Sequence, residues 1–174
     1  MDLATMVTKA GEQFTSFWPL LWALGGLCGI WFSGTTVMRV IRANRFPGAP
    51  MISAKEAIGL MISAALMANL SVFINNFWNS YGSGQTVYGA LSYSGAAGLG
   101  QLSAALGAVL TIASVFGGFY FFKGLLMFKN AQVGDSSQSG DQAWRGLGVM
   151  LFSSALINIV PMIESFRQTF GLVW

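Results

Sequence analysis

Residues 57–77 read AIGLMISAALMANLSVFINNF, and residues 102–122 read LSAALGAVLTIASVFGGFYFF. Neither stretch holds a charged side chain, and all 66 residues from Ala57 to Phe122 lack Asp, Glu, Lys and Arg. An α-helix needs about 20 mostly apolar residues to cross a hydrocarbon layer about 30 Å thick, so each stretch is long enough to span a membrane. A water-soluble domain carries about a quarter charged residues, whereas this chain of 174 residues carries 9%. The surroundings of most of the polypeptide must therefore be lipid or other copies of itself.

Outward from this stretch, two further runs have spanning character: Phe17–Met38, and the shorter Gly146–Ile163 with Pro161 near its end. Four helices with almost no polar face would have nothing to show to water, which argues against a soluble helical domain. The expected fold is an all-α integral membrane protein of four helices. Basic residues orient it. Arg39, Arg42, Arg45 and Lys55 follow the first span, and Lys123, Lys129 and Arg145 follow the third. By the positive-inside rule both basic loops are cytoplasmic, and both termini and the uncharged Asn79–Gln101 connection face the other side.

This divides the chain into an arm (1–16), a first helical hairpin (17–78), a Gly/Ser/Tyr-rich connection (79–101) and a second hairpin (102–174). Leu3, Met6, Val7, Ala10 and Phe14 recur at helical spacing, so the arm is expected as an amphipathic helix lying on the outer interface. The connection is expected as a flexible polar loop. No small-x-small cleavage pattern closes the first apolar run, and Leu27 is wrong for a lipoprotein signal ending at Cys28. The first run is therefore expected to stay as a membrane helix, with Cys28 as a small buried hydrophobe.

The hairpins look like copies of one unit. Setting 58–82 on 147–171 pairs Gly59 with Gly148, Met61 with Met150, Asn69 with Asn158, Ile74 with Ile163, Phe77 with Phe166 and Gly82 with Gly171. A one-residue change in loop length then pairs Leu20 with Leu110, Ala23 with Ala113, Phe32 with Phe122, Gly34 with Gly124 and Arg39 with Lys129. Ten identities fall in about 45 positions, against roughly four by chance in so biased a composition. Both copies have the same orientation, so the expected arrangement is two tandem hairpins forming a parallel internal repeat.

Chemistry has little to work with. The chain has no histidine and one cysteine, which removes the usual zinc sites and Cys–His nucleophiles. The only carboxylate in an expected span, Glu164, sits at an edge, three residues from Arg167 and so able to pair with it. No catalytic, metal or cofactor site is expected, and a transporter would ordinarily place an ionisable group near the bilayer centre. Gly25 and Gly29 form a GxxxG pair, and Gly59 and Gly148 extend the small-residue pattern that lets membrane helices approach. Asn69 and Asn158 are amides within spans that need partners, either nearby backbone or a neighbouring helix. Arg39, Arg42, Arg45, Lys55, Lys129 and Arg145 are candidates for holding lipid phosphates, beyond setting topology.

A basic cytoplasmic loop between two Gly/Ala-rich helices, here Gly25–Arg45 with Ala57–Phe77 and Gly117–Lys129 with Arg145–Ile163, resembles the pilins of conjugative type IV secretion systems. In length and hydropathy the whole chain resembles the TraQ/IcmC group of I-type conjugation and type IVB secretion. The resemblance implies a non-enzymatic subunit of a plasmid-transfer apparatus in a bacterial inner membrane, partnered by copies of itself and by other secretion subunits. For the pilin branch it further implies an extracellular helical filament in which phospholipid accompanies each subunit. Such pilins typically have one hairpin and a long leader, so a doubled chain departs from them. A fixed inner-membrane channel component of the same apparatus, and a small pore or transporter, are the competing readings.

Overall fold

The computed structural model describes residues 3–46, 48, 52–93, 95, 100–133 and 138–171. These form seven helices: α1 (Leu3–Thr15), α2 (Phe17–Arg45), α3 (Ala54–Ala68), α4 (Leu70–Asn79), α5 (Gln101–Ala131), α6 (Gln138–Ile157) and α7 (Ile159–Thr169). No strand occurs among the described residues. The start of the arm (Met1, Asp2), part of the connection, residues 134–137 of the second basic loop and the last three residues lie outside them.

Two helices are long and apolar enough to cross a membrane: Ala4–Arg45, which runs through α1 and α2, and Leu102–Ala131. The count rises to four if each of two bent helix pairs is one span. The second and fourth expected spans are therefore not straight. α3 and α4 meet at 97°, and α6 and α7 at 83°. Both bends fall at an asparagine outside the helical region, Asn69 (φ −114°, ψ 47°) and Asn158 (φ −100°, ψ 39°). At the second, Pro161 has no N–H to offer the Ile157 carbonyl and its ring crowds that position. The first bend arises without a proline. At 1.5 Å per residue α3 is about 22 Å long, too short to cross alone.

The arm does not lie across the end of the molecule. α1 continues into α2 past a break at Ser16, where Pro19 removes the N–H that would bond Thr15. It packs along α5, with Phe14 and Phe116 ring centroids 6.1 Å apart. A β-carbon on Gly11 would sit 2.7 Å from the Ala108 Cα, so the two backbones touch. Further along, Phe17 meets Phe119 and Lys129 meets Phe32, so α1–α2 and α5 run parallel.

α3 returns against α2, and α6 against α5, each crossing at a glycine. A β-carbon on Gly29 would lie 2.7 Å from the Ala64 carbonyl oxygen and 2.8 Å from the Ala68 nitrogen. One on Gly117 would lie 3.0 Å from the Ser153 carbonyl oxygen and 3.0 Å from the Ile157 nitrogen. Gly29 and Gly117 thus make like contacts 88 residues apart (117 − 29), while the two asparagines are 89 apart (158 − 69). This corrects the pairing of the preceding helices. Matching Leu20 to Leu110 uses an offset of 90, but the packing contacts select 88.

The core joins both hairpins, with Trp18, Leu21, Met67, Ile74, Phe121, Leu125 and Ile157 buried together. The connection is pinned rather than loose. The Thr86 N–H donates to Asn75 Oδ1 (3.0 Å), the Leu91 N–H to Thr111 Oγ1 (2.9 Å), and the Tyr88 hydroxyl to the Ser71 carbonyl (2.7 Å). The Tyr88 ring stands edge-on to Trp18 and Trp22, with centroids 4.9 and 5.5 Å away. Composition alone reads such a segment as flexible because it cannot show that α2 and α4 leave a slot for one tyrosine. Tyr88→Phe should cost about 1 kcal/mol, the net worth of a typical hydrogen bond, in thermal unfolding of the detergent-solubilised protein. Burial pushes the Tyr88 phenol from 10.0 up to about 12. The unfolded chain then loses this proton first, so stability should fall between pH 10 and 12, and Tyr88→Phe should flatten that fall.

Candidate lipid-phosphate clefts and packing residues

Arg39 lies one turn beyond Thr35 and Thr36 near the C-terminal end of α2. The parallel course of α5 brings Lys129 beside this turn. Together with Phe32, Leu60 and Asn130 these residues line a cleft of about 570 Å³ between α2, α3 and the end of α5. Lys129 Nζ sits 4.0 Å above the centre of the Phe32 ring, a distance at which the ring face attracts the cation. Arg39 Nη1 is 4.0 Å from Glu56 Oε1. Two cations and one carboxylate leave the cleft with a net positive charge. Thr35 and Thr36 both donate to the Phe32 carbonyl, at 3.1 and 2.7 Å. The arrangement suits an anionic oxygen group entering from the end of the helix bundle.

A second cleft, about 550 Å³, lies between α5 and α6. Tyr120, Met127, Gly148, Val149, Phe152 and Leu156 make it apolar, and Arg145 stands at its edge. Arg145 Nε is 3.0 Å from Asp141 Oδ2, and both side chains are largely exposed. Such an exposed pair contributes little to stability.

Of the six residues assigned to lipid phosphate, the structure brings Arg39 and Lys129 together and places Arg145 at the other cleft. Arg42, Arg45 and Lys55 are exposed and line neither cleft. Among the packing residues, Gly25 and Gly29 press on α3; a β-carbon on Gly25 would lie 2.7 Å from the Met67 carbonyl oxygen. Gly59 faces Gln132 beyond the end of α5. Gly148 differs: among the described residues a β-carbon there meets nothing within 4 Å. The glycines that close the second hairpin are instead Gly117, Gly124 and Gly146, the last two each 2.9 Å from the other's carbonyl oxygen by the same construction. The seven-residue interval from Gly117 to Gly124 was a signal for those two in the sequence.

Asn158 is buried and donates to the Ser154 carbonyl at 3.0 Å, so it satisfies itself on nearby backbone. Asn69 is exposed on its bend. A bond to the second hairpin comes instead from the start of the connection: the Tyr81 hydroxyl donates to the Leu151 carbonyl at 3.0 Å and pairs with Ser154 Oγ. Burial raises the Tyr81 phenol above its ordinary value.

Comparison with protein families, with characterised proteins and with solved structures gives no match. The chemistry of the chain's own residues is what the functional reading stands on.

Proposed function

We propose that the chain is a non-enzymatic structural subunit of a conjugative type IV secretion apparatus, built from two tandem hairpins and assembling with copies of itself, with a conjugative pilus as the specific assembly. The observation that carries the reading is the repeated geometry. Both hairpins close on a glycine and both returning helices bend at an asparagine with nearly the same dihedrals. Because α2 and α5 run parallel, the chain between them has to return across the layer they span. This favours counting α3–α4 as a broken span, and α6–α7, bent in the same way, is counted as the fourth crossing by the repeat. Basic residues then gather at the α2 and α5 C-terminal ends, on one side, as a bacterial inner-membrane protein requires.

Phospholipid is the proposed bound partner, its phosphate held by Arg39 and Lys129. A pilus subunit extracted with its lipid would need such a positive cleft at the level of the head groups. The test is to shear filaments from cells carrying the transfer genes and sequence their dominant protein. Peptides from both hairpins of this chain in that protein are the expected result. Filaments lacking them, with the chain retained in the inner membrane, would replace the pilus by a fixed channel component.

A further inference from the structure

The two units do not only repeat; they dock on one another through different faces, and each unit leaves the other face bare. Within the chain, Phe32 meets Lys129, Gly59 meets Gln132, and Phe77 meets Phe121 with ring centroids 5.5 Å apart. Moving the first-unit partners onto the second unit by the observed offsets (32 + 88, 59 + 89, 77 + 89) gives Tyr120, Gly148 and Phe166. Tyr120 is 52% exposed, Phe166 54%, and Gly148 has open space before it. Moving the second-unit partners back (129 − 88, 132 − 88, 121 − 88) gives Ile41 and Asn44, both exposed, the first 47%, and the half-buried Ser33. Trp31, counterpart of the Phe119 that Phe17 packs on, is 70% exposed.

We infer that a second copy of this chain docks head-to-tail, its α2 face against the α5–α6–α7 face of the first, repeating the contact already made between the two units. Partner and geometry both follow from continuity with the intrachain interface. The amide of Asn44 would stand over Gly148 as that of Gln132 stands over Gly59. The second cleft fits the same operation. Tyr120, Met127 and Val149 are the counterparts of Phe32, Arg39 and Leu60 in the first cleft, whose far wall is Lys129, Asn130 and Val133. The second copy would supply Ile41, Arg42 and Arg45 as that wall. Arg42 and Arg45, which line neither cleft within one chain, thus complete a basic cleft between copies, next to Arg145. Since the units run parallel, every added copy keeps the same orientation in the membrane. The contact joins unlike faces, so it does not close as a two-fold dimer; it propagates into a ring or a helical filament.

The inference rests on the reading of the chain as a self-assembling pair of like units, and cysteine cross-linking in membranes separates the two. In a Cys28→Ser background, Gly59→Cys with Gln132→Cys should close a bond within one chain, confirming the template contact. Asn44→Cys with Gly148→Cys should give a ladder of dimers, trimers and longer species, and either substitution alone should leave monomer. Leu102→Cys against the native Cys28, the counterparts of Phe14 and Phe116, should give a second ladder with a short thiol-reactive linker. Both paired ladders absent, while an amine-reactive linker still yields oligomers, would overturn head-to-tail docking and leave self-assembly standing. Cross-linking by Asn44→Cys or Gly148→Cys alone would overturn it in favour of a two-fold contact. Monomer under every reagent would overturn both the docking and the assembly it rests on.

Discussion

Gly29→Leu should destabilise the first hairpin by about 3 kcal/mol or more, at the upper end of what overpacking costs. The first added carbon would stand 2.7 Å from a backbone oxygen and 2.8 Å from a backbone nitrogen of α3. Backbone inside a helix cannot step aside as the end of a side chain can, so the helices must separate along their length. Separation would uncover Met67 and Leu70, which are buried where α3 bends. Gly26→Leu is the control, because a β-carbon at Gly26 meets nothing within 4 Å. Thermal unfolding and gel filtration in mild detergent should show the Gly29 variant melting earlier or aggregating, with the Gly26 variant near the parent. Equal behaviour of the two would mean that α2 and α3 do not cross at Gly29.

The second large effect concerns lipid. Removing Arg39 and Lys129 together, each as alanine, should lower retained anionic phospholipid by about tenfold to a hundredfold. Hydrogen bonds to a charged group contribute about 1.5–3 kcal/mol each and about 1.4 kcal/mol is a factor of ten in affinity, so two full bonds would exceed a hundredfold and solvent screening reduces them to this range. The lower end applies if water reaches Arg39, whose side chain is well exposed. Mass spectrometry of lipids carried through purification reads the change, with a zwitterionic lipid as internal reference. Lys55→Ala with Lys123→Ala removes the same charge from outside the cleft and should change retention little. An equal fall in both variants would reduce the cleft to a general attraction of the basic surface for anionic lipid.

How much of this could be read from the residues differs by feature. The spans of α2 and α5 follow from apolar length alone, because in lipid a backbone has few alternatives to a helix. Pro161 announced a helix irregularity near its position, but Asn69 did not. A single asparagine is tolerated in many helices, and its bend depends on α4 finding a seat against α5 and α6. The repeat alignment set Arg39 against Lys129 as equivalent positions, at an offset the glycine contacts do not support, and so did not show that the two share one cleft. Thr35, Thr36 and Asn130 were not visible there, since the cleft exists only where three helices meet. Gly59 and Gly148 show the limit of the repeat. Their local sequence setting is alike, yet one is covered by Gln132 and the other is bare, because the first unit has a neighbour in the chain and the second has none.

The central claim is that two hairpins cross a membrane in the same sense. Single cysteines at Asn44, Ser92 and Gly140, each in a Cys28→Ser background, test it through an impermeant thiol reagent applied to intact spheroplasts and to inverted vesicles. All three positions are exposed. The account predicts that Asn44 and Gly140 label only in inverted vesicles and Ser92 only in spheroplasts. Labelling of Asn44 and Gly140 from opposite sides, or of Ser92 from the same side as Asn44, would contradict it.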